Sequence, residues 1–124
     1  MTHSWVGDLI FRLTSPSGTA VTFYDRPGVP ASTFGCDNNN LAQVILDDDG
    51  GFPSIETTCN AAGSDAAFPS GSFMPNNPLS AFDGQSAAGT WTLNVSDNGA
   101  GDTGQVRAFS LVFSCQGGVT PTPT

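Results

Sequence analysis

The sequence predicts an all-β domain, an antiparallel jelly-roll-like β-sandwich, and three observations carry that prediction. Helix formers are scarce: there is no Lys and one Glu among 124 residues that include 15 Gly and 9 Pro. Several short stretches alternate apolar and polar residues with period two. Between them lie clusters of Gly, Pro, Ser, Asn and Asp, the residues of turns. The length suits one domain, assigned to residues 1–116. Residues 117–124, "GGVTPTPT", alternate Pro and Thr like the start of an extended linker.

Each element follows from its pattern. In "DLIFRLT", Leu9, Phe11 and Leu13 share one face of a strand while Ile10, Arg12 and Thr14 share the other. "SPSGT" supplies a β-turn with Pro16 and Gly18, and "AVTFYD" returns with Val21 and Phe23 on one face. The expected hairpin pairs 9–14 with 20–24. "GVPASTFGCDNNN" is loop, "LAQVILDDDG" is a short strand ending in three aspartates, and 50–77 is expected to be mostly coil over the core. "GTWTLNVSD" turns Trp91, Leu93 and Val95 inward, and "QVRAFSLVFS" aligns Phe109, Leu111 and Phe113. The loop "DNGAGD" joins these last two strands.

Charge excludes two classes of partner. Eleven acids face three Arg, for a net charge of −8, which is wrong for nucleic acid or an anionic membrane surface. No apolar run approaches the ~18 residues of a membrane span, so no membrane insertion is expected. No signal peptide is legible at "MTHSWVGDL". Cys36, Cys59 and Cys115 show no CxxC spacing for zinc. A Cys36–Cys59 bridge would stabilise an exported protein by roughly 3 kcal/mol; three buried thiols in a cytosolic protein is the other reading. The Pro-Thr tail and the acidic loops favour export.

Ten of the eleven acids are Asp, the acid of turns and of oxygen ligands for hard cations. Asp47, Asp48 and Asp49 together with Asp83 form one candidate calcium corner, and Asp97 with Asp102 forms another, where the Asn98 amide and Gly carbonyls add oxygen. The alternative at both is capping of local backbone N–H groups. Asp8 reads as a buried hydrogen-bond acceptor rather than a ligand. Catalysis has little to work with: His3 is the one histidine, and ten Asp make some carboxylate pair inevitable. Trp5 and Trp91 are the candidates for a carbohydrate platform, with Trp91 on the inward parity. Asn94-Val95-Ser96 fits a glycosylation acceptor within a strand.

Two blocks, "HSWVGDLIFRLTSPSGTAVTF" and "LSAFDGQSAAGTWTLNVSDNGAGDTGQVRAFSLVF", resemble the P domain (P/Homo B) of proprotein convertases and bacterial secreted proteases. His3, Trp5, Gly7, Asp8 and Leu9 carry the first motif, followed by Ser15, Pro16, Gly18 and Thr19; Gly89, Trp91 and Leu93, then Thr103 and Gly104, carry the second. The resemblance implies a jelly-roll sandwich without catalytic residues, attached to a subtilisin-like or other protease domain in the same parent chain. It implies a stabilising or regulatory role, an influence on calcium behaviour, help with a protein or glycan substrate, and a secreted or cell-surface bacterial setting. A sugar- or surface-binding sandwich module is the alternative. Members of the family carry one or two further strands before the His-x-Trp segment. Without them an edge is left open to strand exchange between molecules, and Cys115 is without an evident partner.

Overall fold

Alternation alone builds the central sheet. In the computed structural model, which describes residues 1–59 and 66–114, strand β2 (Leu9–Thr14) lies between β3 (Ala20–Asp25) and β6 (Thr92–Asp97), antiparallel to both. The β2–β6 register is unbroken, from Leu9 opposite Asp97 to Thr14 opposite Thr92. A second antiparallel pair joins β1 (Thr2–His3) to β7 (Gly104–Gln105). Two 3-10 turns, Val6–Asp8 and Leu79–Phe82, are the only helical segments among the described residues. The described residues are all-β and these two sheets are antiparallel, consistent with the expected sandwich.

The hairpin carries one irregularity that the sequence does not announce. Phe11 faces Tyr24 and Arg12 faces Thr22, so Phe23 is an extra residue on β3. The bulge switches side-chain parity, and Tyr24 joins Val21 among the buried residues while Phe23 packs only partly buried. Tyr24 stacks on Phe11 with ring centroids 4.5 Å apart and donates its hydroxyl to the Val6 carbonyl at 2.9 Å.

The irregular middle contributes more than a cover. Strand β4 (Val44–Leu46) pairs in parallel with β5 (Gly71–Phe73), an orientation that a long connection permits and a tight turn does not. Cys36, Leu41, Ile55, Phe68 and Phe73 enter the same buried cluster as Val6, Leu9 and Tyr24. Ile55, Phe68 and Phe73, expected in covering coil, are therefore part of the core itself. Among the described residues Cys36 and Cys59 are joined by a disulfide with Cα atoms 5.7 Å apart.

The last expected strand forms only at its start. Strand β7 pairs Gln105 with Thr2 and Gly104 with His3, and the ladder stops there because β1 spans two residues. Residues 106–114 take no strand pairing, and Val106, Phe109, Val112 and Phe113 are exposed, Val112 by 93%. Phe113 still reaches Trp91, with ring centroids 5.0 Å apart. Cys115 and the 117–124 linker lie outside the described residues.

Glu56 gives the fold a pH dependence. Burial pushes its carboxyl up to about 7, with the neighbouring Asp25 charge adding to this and the Asp25 N–H, which donates to Glu56 Oε1 at 2.8 Å, opposing it. The folded protein thus holds this proton more tightly than the unfolded chain. The contribution is present below the ordinary value of 4.5 and is lost as pH rises to about 7. Glu56→Gln keeps the acceptor and removes the titration. Urea unfolding at pH 5 and pH 8 is expected to show a loss in the parent that the variant lacks, on the order of 1 kcal/mol after solvent screening.

Candidate functional site

The end of β6 and the first turn of the chain meet at one corner, and His3 ties them together. His3 is 3% exposed. Its Nδ1 accepts the Trp5 N–H at 3.0 Å, which leaves the ring proton on Nε2 to be donated to Asp97 Oδ2 at 2.8 Å. Its own N–H is donated to Asn40 Oδ1 at 3.0 Å, and its carbonyl accepts the Asn40 N–H at 2.9 Å. An Asp-His pair of this kind would orient a base if the other ring nitrogen faced a hydroxyl. Here that nitrogen faces the backbone, so the pair is a clamp.

The remaining acids of the corner are held from opposite sides. Asp97 Oδ1 accepts the Gly99 N–H at 3.2 Å, closing an Asx-turn. Burial acts to raise the Asp97 carboxyl, but the hydrogen bonds from His3 and from the Gly99 N–H outweigh it and hold the group below its ordinary value. Asp102 Oδ1 accepts the Ser4 hydroxyl at 2.7 Å, beside the main-chain bond from Ser4 N–H to the Thr103 carbonyl at 3.3 Å. Asp97 and Asp102 thus lie on one loop, each tied to the first turn of the chain.

Asp8 is where the expectation and the structure part. It is buried, as expected, with 6% exposure, but its carboxylate accepts no hydrogen bond from the described residues. Its main-chain carbonyl takes the loop instead, accepting Asn98 N–H at 2.8 Å and Asn98 Nδ2 at 3.2 Å. The carboxylate lies against Gly99, where an added Cβ would overlap it. Burial raises the Asp8 carboxyl most and the Asp97 charge next, with a smaller push from Asp102, while His3 and Arg26 pull the other way. Arg26 does not pair with it: its Nε–H is donated to the Gly7 carbonyl at 3.2 Å. The sequence signal for Asp8 was its place, an acid directly before an apolar strand.

The second acidic corner is arranged for capping. Asp48 accepts the N–H groups of Leu79 and Ser80 at 2.9 and 2.7 Å, one on each carboxylate oxygen, at the start of the Leu79–Phe82 turn. Asp47 Oδ1 accepts the Asp49 N–H at 2.8 Å. Asp83 stands at the far end of the same turn, its N–H donated to the Ser80 carbonyl at 3.0 Å. Among the described residues no three His, Cys, Asp or Glu side chains converge as a ready-made metal cage. Any cation held here would depend on main-chain oxygen as well.

The tryptophans are engaged locally. Trp5 donates its Nε1–H to the Phe34 carbonyl at 2.7 Å. Trp91 donates to the Ala87 carbonyl at 3.0 Å and is packed by Phe82 and Phe113. An open groove of about 590 Å³ runs along Ala20, Val21, Thr22, Asn77, Pro78, Ser80 and Ala81, and no titratable side chain lines it. No helix among the described residues is long and apolar enough to cross a membrane.

Comparison with known proteins agrees with the motifs. No curated protein and no solved structure matches the chain. A family model does, over residues 54–113, which include Asp83, Trp91, Asp97 and Asp102. The first motif block, with His3 and Asp8, precedes that stretch. The family matched over 54–113 is the proprotein convertase P-domain, the family that the sequence motifs resemble and a non-catalytic accessory module of proteases.

Proposed function

We propose that this chain is an accessory module of a secreted bacterial protease, steadying the catalytic domain of the same parent chain and holding calcium at its 97–102 corner. The family match supports the accessory role. The apolar row of Val106, Phe109, Val112 and Phe113 is the surface the module offers to that domain. One observation carries the calcium reading: Asp8 is 6% exposed, its carboxylate accepts no hydrogen bond from the described residues, and the charges of Asp97 and Asp102 act on it. Hard divalent cations supply the missing charge, taking carboxylate and carbonyl oxygens from flexible loops. At the other corner Asp48 has both oxygens committed to backbone N–H groups, so the proposal is confined to 97–102. Calcium bound there would join the first turn of the chain to the β6–β7 loop.

A melting scan tests this. Calcium at about one hundred times its dissociation constant is expected to add about 2.7 kcal/mol, several degrees for a domain of this size. Asp97→Ala/Asp102→Ala is expected to abolish the difference between calcium and chelator. Identical melting of the parent chain in calcium and in chelator would refute the calcium reading.

A further inference from the structure

We infer that Asp8, outside the acidic loop itself, is the central ligand of the cation at this corner, with the 97–102 loop closing over it from the other side. The inference rests on the calcium reading above and assigns it a residue that the acid-rich loops alone do not reveal.

Three features point at Asp8. The first is solvation: its side chain is among the buried charged groups of the protein, yet it accepts no hydrogen bond from the described residues. Buried carboxylates are ordinarily compensated by donors or an opposite charge. The nearest donors bond elsewhere, His3 Nε2–H to Asp97 and Arg26 Nε–H to the Gly7 carbonyl. The second is placement. The 3-10 turn Val6–Asp8 fixes Asp8 at the mouth of β2, and Leu9 pairs with Asp97 in the adjoining strand. The Asp8 carbonyl holds Asn98, so the turn and the loop are registered to each other before any ion arrives.

The third feature is the loop's composition. Gly99 brings bare backbone against the Asp8 carboxylate, and any side chain there would displace it. No described residue donates to the carbonyls of residues 98–101, so they remain available as neutral oxygen ligands. Asp102 has one oxygen bonded to Ser4 and the other free of described partners. Asp8, Asp102 and these carbonyls make the mixed carboxylate and carbonyl set that calcium favours. Asp97 contributes by position: it holds His3 and shapes the turn at Gly99.

Asp8→Asn separates a ligand from a structural acceptor, because the two roles predict opposite signs. Removing a charge that accepts no hydrogen bond from the described residues should leave the chelated protein as stable as the parent or more so, while removing a ligand should cost calcium affinity. Calcium titration calorimetry on the full chain is expected to show binding weakened at least tenfold in Asp8→Asn, with its melting temperature in chelator not lowered. Gly99→Ala, which keeps every carboxylate in the chain but displaces that of Asp8, is expected to weaken calcium in the same way. Parent-like calcium affinity in both variants would overturn the role of Asp8 and leave the calcium reading standing. A lower melting temperature of Asp8→Asn in chelator would also overturn it, marking Asp8 as structural. No calcium heat from the parent chain would overturn the calcium reading and this inference together.

Discussion

Gly7→Ala is expected to destabilise the domain by about 3 kcal/mol, at the upper end of overpacking costs, read as a fall in the urea midpoint. The reason is backbone against backbone. Gly7 donates its N–H to the Cys36 carbonyl at 2.9 Å, and a Cβ on Gly7 would overlap the Cys36 amide and the Gly35 carbonyl carbon. No rotamer relieves such an overlap, since none of the atoms belongs to a flexible side chain. The same contact sets Val6, whose N–H is donated to the Asn38 carbonyl at 3.0 Å, and Val6 is fully buried beneath Tyr24. Displacing Gly7 therefore moves the 3-10 turn, a core side chain and Asp8 together. An Ala variant with the parent's midpoint would show that the turn is free to shift, contrary to this packing.

Reducing the Cys36–Cys59 disulfide, or replacing both residues with Ser, is expected to cost roughly 3 kcal/mol in the chain-entropy account. The bridge spans 23 positions of mainly irregular chain, so the unfolded state gains much freedom when it opens. The folded state loses support as well. Cys36 is buried in the core cluster, its N–H is donated to the Pro27 carbonyl at 2.7 Å, and Gly28 lies against both Cys36 and the Cys59 sulfur. Chemical denaturation with and without reductant measures the difference. An unchanged midpoint would mean that hydrogen bonds alone anchor the segment between them.

Much of the sheet was legible because period-two alternation is a local property. Strands β2, β3 and β6 stand where "LIFRLT", "AVTFYD" and "TLNVSD" place them. Tyr24 was missed because a bulge depends on pairing with β2, which alternation within β3 does not encode. Ile55, Phe68 and Phe73 reach the core from irregular chain, where spacing carries no periodic signal. The end of the "QVRAFSLVFS" strand has the right alternation, but a strand also needs a neighbour, and β1 supplies one for two residues only.

The site divides in the same way. Asp97 and Asp102 were visible from Gly and Asn around them, the composition of an oxygen-rich loop. Asp48 was read as a ligand candidate because its capping partners, Leu79 and Ser80, lie 31 and 32 residues away. Asp8 was read as a hydrogen-bond acceptor because nothing local shows that no described residue donates to its carboxylate. Whether a buried carboxylate has a partner is a fact of tertiary packing, and it is this fact that turns an acidic loop into a candidate cation corner.

Calorimetric titration of the intact chain with calcium tests that claim most directly. The account predicts saturable binding that the Asp97→Ala/Asp102→Ala variant loses. A flat titration of the parent at millimolar calcium would contradict it.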